Sequence, residues 1–351
     1  MSNQQALEIM PSASNLSNRP WGDAPSFVPS RWIRGGDAQT VLARYWGEPR
    51  APLASVAHEV ELPDGDRLLV HISEPEVSTP ETPTAMLVHG LAGSADAPYV
   101  VRTGLRLLKL GVRVLRVNLR GAGDGFGLAK GIYHAGRSDD LRAVVKWFEK
   151  RNPGAPVAAI GFSLGANLVL KLSIEAAKQP LASLDAVIAA NPPLDLAACA
   201  HRLSEPRNRL YDWNFVRWLR FMAKRLHERF PELGPLDLKG ARTVYEFDDV
   251  YTAPRNRFGS AAHYYAECSV HNRVREIAIP GLIVHAKDDP FIPAKPFENL
   301  ALADSVGLEL LAHGGHLGYL SHRPWDGDHR WLESRLAHWL RAHWHDRLAA
   351  V

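Results

Sequence analysis

The sequence predicts an α/β protein: a mostly parallel sheet that begins with an antiparallel hairpin, helices on both faces, and a helical insertion late in the chain. Three observations predict it. Short apolar runs alternate with stretches of helical period from Ala85 to Ala190. A two-stranded alternating pattern precedes them, and the rhythm breaks between Leu194 and Arg275 before it resumes.

Each element has its own signal. Val56, Val60 and Leu62 alternate with polar residues, Pro63-Asp64-Gly65-Asp66 supplies turn chemistry, and Leu68, Val70 and Ile72 alternate again, as a β-hairpin does. Ala85-Met86-Leu87-Val88 reads as a buried strand, Val100 to Leu110 as a helix, and Val112 to Val117 as the next strand. A helix is expected over Asp139 to Lys150 with Ser138 as its cap, a strand over Pro156 to Ile160, a helix over Ala166 to Ala177 and a strand over Ala186 to Ala190. In the break, Phe215, Leu219, Met222 and Leu226 share one face of a predicted helix, with Arg217, Arg220 and Lys224 opposite. Strands Gly281 to His285 and Leu308 to Leu311 follow, then a closing helix from about Trp331 to Arg347 with Leu332, Leu336, Trp339 and Leu340 inward. The expected organisation is a poorly ordered arm over 1–30, an α/β core formed by 31–193 and 276–351, and a helical cap over 194–275.

Composition limits the function classes. The 351 residues include 46% hydrophobic ones, ample for a sizeable core. The 41 Lys and Arg nearly balance the 38 Asp and Glu along the chain, a net charge of +3, which does not indicate a nucleic-acid binder. With only Cys199 and Cys268 there is no disulfide framework, and a cytoplasmic location is expected. No secretory signal and no apolar run of spanning length is present, so no transmembrane segment is expected.

Gly161-Phe162-Ser163-Leu164-Gly165 matches the pattern G-x-S-x-G, set between an apolar strand and a helix-forming run. That context points to a nucleophile elbow and to the α/β-hydrolase fold. Small residues two before and two after the serine let the backbone pass close to its neighbours. The turn puts the Leu164 amide at a helix N-terminus, where unpaired N–H groups receive developing negative charge. The loop His89-Gly90-Leu91-Ala92-Gly93 follows the first long apolar strand, so the Leu91 amide is the second candidate oxyanion donor. Asp289, at the end of the strand over 282–285 and followed by Pro290, is the preferred acid, with Asp288 its adjacent competitor. His316, in the loop His313-Gly314-Gly315-His316-Leu317-Gly318, is the preferred general base, with His313 its rival.

Taken together these motifs resemble the YheT-type branch of the α/β-hydrolases, which includes the mammalian abhydrolase-domain lipases and the yeast medium-chain ethyl-ester synthases. The resemblance runs from about Pro29 to the C-terminus. It rests on Gly36-Asp37-Ala38-Gln39-Thr40, His89-Gly90-Leu91, Asn118-Leu119-Arg120-Gly121-Ala122-Gly123 and Tyr133-His134-Ala135-Gly136. It rests also on Gly161 to Asn167, Phe247-Asp248-Asp249, His285 to Phe291 and Gly314 to Gly318. It implies carboxylic-ester hydrolysis with Ser163, Asp289 and His316 as the catalytic residues. Two departures stand out: Asp37-Ala38-Gln39-Thr40 where the family often has His-Leu-Gln-Thr, and Ala122 where it often has Cys. Arg120 and Tyr133 are expected to be loop scaffolding.

The insertion carries Trp213, Phe215, Trp218, Phe221 and Met222. An apolar load of that size is expected to cover an acyl-binding site, with Phe215, Trp218 and Met222 as substrate contacts, or else only to dock the insertion on the core. The expected partner is a small-molecule ester, with no cofactor and no metal. The basic stripe on the same helix reads as a solvated face, or as a transient contact with a membrane surface. Acyl transfer or thioester cleavage on the same triad, and a non-catalytic binding protein, stay open as alternatives. A metal site built from His313, His316, Asp288 and Asp289 has weaker support, because His-Gly-Gly-His in a loop lacks the helical spacing of His-Glu-x-x-His.

Overall fold

The computed structural model of the protein describes residues 24–45, 53–325 and 327–349, so most of the arm expected over 1–30 lies outside the described residues. Helix α1 (Gly36–Tyr45) leads into strands β1 (Val56–Glu61), β2 (Arg67–Ser73) and β3 (Thr84–Val88). Helix α2 (Pro98–Lys109), β4 (Arg113–Asn118), α3 (Ser138–Arg151), β5 (Val157–Phe162), α4 (Leu164–Ala176) and β6 (Leu184–Ala190) follow in strict alternation. Five helices then come without a strand: α5 (Leu196–Ser204), α6 (Arg209–Arg229), α7 (Val244–Phe247), α8 (Ala253–Arg255) and α9 (Ala261–Cys268). A π-helical turn, Asp248–Thr252, joins α7 to α8. The chain closes with β7 (Gly281–Ala286), α10 (Lys295–Glu298), β8 (Val306–Leu311), β9 (Leu320–Trp325), β10 (Asp328–Arg330), α11 (Trp331–His343) and α12 (His345–Leu348).

Eight strands form one sheet in the order β1-β2-β4-β3-β5-β6-β7-β8. β1 pairs antiparallel with β2, and β2 antiparallel with β4; every neighbour from β4 to β8 is parallel. The side-chain alternation of β3 shows how the sheet is buried. Ala85 and Leu87 join Val100 and Leu107 of α2 and Leu332, Leu336 and Trp339 of α11. Met86 and Val88 join Leu141, Val144 and Phe148 of α3 and Leu168 and Leu172 of α4. With both faces covered, these strands need apolar residues at every position, which is why they read as unbroken runs.

The structure departs from the sequence reading in four places. Ser138 is the first helical residue of α3 rather than its cap; its hydroxyl donates to Glu175 Oε2 at 2.7 Å, and Asp139 and Asp140 put the negative charge in the first turn. Helix α1 was not expected. Nor was the two-stranded sheet β9–β10, which separates the loop of His316 from the closing helix. That closing helix stops at His343, and α12 restarts after Trp344.

Residues 24–30 run beside β9. Ser30 N–H donates to the Leu320 carbonyl, His322 N–H to that of Val28, and Trp331 Nε1–H to that of Pro25. Among the described residues no helix is long and apolar enough to cross a membrane.

Candidate active site

Of the predicted site residues, Leu91, Ser163, Leu164, Asp289 and His316 follow the carboxyl ends of parallel strands, where such a sheet exposes functional side chains, whereas Phe215, Trp218 and Met222 lie on α6. Strand β5 ends at Phe162 and α4 begins at Leu164, leaving Ser163 alone on the bend at φ 53° and ψ −122°. A Cβ on Gly161 would stand 2.2 Å from the Gly165 carbonyl oxygen, and one on Gly165 2.4 Å from the Val88 carbonyl oxygen. The bend therefore admits no side chain at either place. Ser163 N–H donates to the Ala190 carbonyl at 2.9 Å, which locks the bend to the end of β6.

Two tyrosines shape the loop after β3. Gly90 N–H donates to Tyr99 Oη at 3.0 Å and Ala92 N–H to Tyr133 Oη at 2.8 Å. The Leu91 amide between them makes no hydrogen bond among the described residues, nor does the Leu164 amide in the first turn of α4. Leu91 and Leu164 line the same cavity as Ser163. His89 is buried beneath this loop. Its Nδ1–H donates to the Gly90 carbonyl at 2.8 Å and its Nε2 accepts from Leu119 N–H at 3.2 Å. Burial pushes its pKa down to about 4, so it is a neutral brace between the ends of β3 and β4.

The two candidate acids take separate partners. Asp289 is buried, and its Oδ2 lies 2.7 Å from His316 Nδ1. Asn191 Nδ2–H also donates to Oδ2, while the Phe291 and Ile292 amides donate to Oδ1 at 3.0 Å each. Burial alone would raise the Asp289 pKa, but the charge and hydrogen bond of His316 and the Ile292 amide outweigh it, so the carboxyl is held below its ordinary range. An ionised Asp289 fixes the proton of the neutral imidazole on Nδ1 and leaves Nε2 as the acceptor. Asp288 instead accepts from Gly315 N–H at 2.8 Å and meets His313 Nδ1 at 3.3 Å. The four side chains weighed as a metal site thus divide into two separate pairs.

His316 is held from a third direction. Its N–H donates to Thr40 Oγ1 at 2.8 Å, and its ring packs 4.3 Å from that of Phe291. No hydrogen bond joins Ser163 Oγ to His316 among the described residues; such bonds commonly tighten only when substrate is bound. Backbone strain gathers at the same place. Of six non-glycine residues with positive φ among the described residues, Ala92, Ser163, Asn191, Leu317 and Tyr319 belong to the loops described here.

A cavity of about 110 Å³ opens at Ser163, walled in part by Leu91, Leu164, Phe215, Leu219 and Phe291. Trp218 and Met222 lie off that wall, which corrects their expected role: residues four apart on α6 share a stripe, so Phe215 brings Leu219 with it. Trp218 packs 6.1 Å from the Tyr133 ring, and Met222 is buried beside the core. Arg217, Arg220 and Lys224 are exposed, and each has a neighbour: Arg217 lies over Trp213, Arg220 donates to the Ala241 carbonyl and Lys224 faces Glu228.

Sequence reasoning missed Thr40, Tyr99 and Asn191, and left Tyr133 as scaffolding. Asn191 carried a signal: a polar residue placed directly after the buried run of β6. Thr40 stood in a motif that the family resemblance used without assigning it work. Arg120 is structural, buried against Asp140 at 2.6 Å and Asp66 at 2.6 Å.

Residues 85–327 match the model of the Alpha/beta hydrolase family. The chain is 31% identical to the YheT protein of Escherichia coli (strain K12) over 325 residues, covering 91% of this chain and 94% of the relative. It is 28% identical to the phospholipase ABHD3 of Mus musculus, covering 84% of this chain and 73% of that one. Among solved structures, an esterase of Pyrococcus furiosus aligns over 82% of this chain and 90% of its own with a TM-score of 0.55; at 18% identity this likeness speaks for the fold alone. With the strand order, the bend at Ser163 and these matches in agreement, the chain belongs to the α/β-hydrolase family, in its YheT-type branch.

Proposed function

We propose that the protein is a serine hydrolase of carboxylic esters, working through an acyl-enzyme on Ser163. The observation that carries this reading is the 2.7 Å bond between Asp289 and His316, whose ring packs against Phe291 of the cavity wall, with the uncommitted amides of Leu91 and Leu164 on residues that share that wall with Ser163. In this mechanism His316 Nε2 takes the Ser163 proton as Oγ bonds to the ester carbonyl carbon. The Leu91 and Leu164 amides receive the negative charge that develops on the carbonyl oxygen. Collapse breaks the bond to the alcohol, which leaves with the proton from His316. Water, activated by the same imidazole, then releases the acid.

The segment over 194–275 serves as a cap, since it supplies Phe215 and Leu219 to the cavity wall. Each buried methylene adds about 0.8 kcal/mol, so an aliphatic acyl group suits that wall. A cavity of about 110 Å³ is smaller than the ~150 Å³ void that holds benzene, so a long chain would extend beyond it. The names of the relatives support an ester substrate, and the phospholipase among them leaves the kind of ester open.

Labelling with a fluorophosphonate probe, followed by mapping of the adduct, tests the reading. The adduct is expected on Ser163 and lost in Ser163→Ala. A folded protein that labels elsewhere, or not at all, overturns it. A p-nitrophenyl ester series from two to sixteen carbons reports the acyl preference, and an acetate-peaked or flat profile removes the aliphatic-chain part.

A further inference from the structure

One carboxylate faces the cavity and has no place in the chemistry above. Asp248 opens the π-helical turn and is 9% exposed, and it shares the cavity wall with Ser163, Tyr264 and Tyr265. π-Helical turns are rare and recur at functional sites. The Tyr265 hydroxyl donates to Asp248 Oδ2 at 2.8 Å, and the Thr252 hydroxyl also serves it. Both are neutral donors, and a carboxylate has room for about four.

A cation is what this carboxylate lacks. Buried charges are ordinarily paired, because an uncompensated one costs several kcal/mol. Asp140 has Arg120, and Glu333 has Arg102. Asp248 has no ion pair among the described residues, and burial raises its pKa to about 6, a shift that a cation beside it would oppose. Asp212, another buried acid without a cation, accepts from the Val244 amide and lines no part of this cavity. His134 does line it, but burial and Arg137 lower its pKa to about 3, so it brings no charge. The Tyr264 and Tyr265 rings stand 5.1 Å apart on the same wall, and aromatic faces attract cations.

We propose that Asp248 recognises a cationic, ammonium-type group on the substrate, held between its carboxylate and the Tyr264 and Tyr265 rings in the cavity that contains Ser163. This rests on reading that cavity as the substrate site. The ester then carries its positive charge in whichever part, acyl or alcohol, enters the cavity.

Titration calorimetry on the whole protein tests the proposal without requiring turnover. The probes are choline and 3,3-dimethylbutan-1-ol, which replaces the ammonium nitrogen by carbon at nearly the same shape. Choline is expected to bind the wild-type protein at least tenfold more tightly than its isostere. The ratio is expected to fall close to one in Asp248→Asn and to be partly kept in Asp248→Glu. Because both probes meet the same preparation, a loss of folded protein cancels from the ratio. Equal or weaker binding of the cation, or an unchanged ratio in Asp248→Asn, overturns the proposal. The butyrate esters of the same two alcohols separate this test from the hydrolase reading. If the binding ratio holds while the folded protein neither cleaves these esters nor takes the fluorophosphonate label on Ser163, the hydrolase reading fails and the cation site stands; cleavage of both with no cation preference at either level does the reverse.

Discussion

Two carboxylates stand side by side at the end of β7, and their hydrogen bonds divide them. Asp289 is enclosed by two amides, an asparagine and an imidazole, whereas Asp288 reaches outward to His313 and the Gly315 amide. Only Asp289 controls which nitrogen of His316 carries its proton. Replacing it with asparagine keeps the shape but favours the wrong tautomer. Asp289→Asn is therefore expected to lower kcat by on the order of 10⁴. Asp288→Asn loosens one side of the loop and is expected to lower kcat tenfold at most. Steady-state kinetics on one p-nitrophenyl ester, normalised by fluorophosphonate titration, compares them; equal losses would mean that the acid has been misassigned. Sequence narrowed the acid to these two neighbours and preferred Asp289 for its place before Pro290. It could not separate them further, because adjacent residues share every local signal and differ only in which distant side chains they meet.

At the scale of elements, α1 leaves apolar side chains in solvent yet has one of the closest links to the site. Val41 and Leu42 of this helix are exposed, while its anchor is the buried amide side chain of Gln39. Gln39 Nε2 donates to the Ile33 carbonyl at 2.5 Å, and Oε1 accepts from Leu320 N–H at 2.6 Å. One residue on, Thr40 accepts from the N–H of His316. Thr40→Val keeps the size and removes the acceptor, leaving that amide unsatisfied at a cost of about 1–3 kcal/mol. The expected result is a fall in kcat of about tenfold or more with KM little changed, restored by Thr40→Ser. A rise in KM with unchanged kcat would place Thr40 in binding rather than in positioning the imidazole.

This helix also shows why part of the architecture was illegible. Hydrophobic period reveals β3, β4, β5 and β6, since two covered faces demand apolar residues throughout. It is silent where polar side chains do the anchoring, as with Gln39. It is equally silent for the β9–β10 hairpin, where His322, Arg323, Asp328 and His329 sit in strands of mixed exposure. Ser138 failed for a related reason: residue type suggests a cap, but the Glu175 carboxylate from a neighbouring helix claims the hydroxyl.

Across the whole molecule, a stiff frame carries a strained rim. Both sheet faces are sealed, and Arg120 ties the end of β4 to α3 and to the β1–β2 turn through Asp140 and Asp66. That ionic tie was invisible in the sequence, because the acids lie 54 residues before and 20 residues after the arginine. The bend at Ser163 has a thermodynamic corollary. A serine held at φ 53° costs about 1–3 kcal/mol, which a glycine would not incur. Glycine's greater freedom in the unfolded chain returns roughly 0.5–1 kcal/mol of that advantage. Ser163→Gly is thus expected to melt up to a few degrees above both the wild-type protein and Ser163→Ala in scanning calorimetry. A lower melting temperature for the glycine variant would show that the bend is relaxed. If the ordering holds, the native chain is less sturdy than a version of itself without the Ser163 hydroxyl, and under the proposed mechanism heat tolerance is bounded by the demands of turnover rather than by the quality of the core.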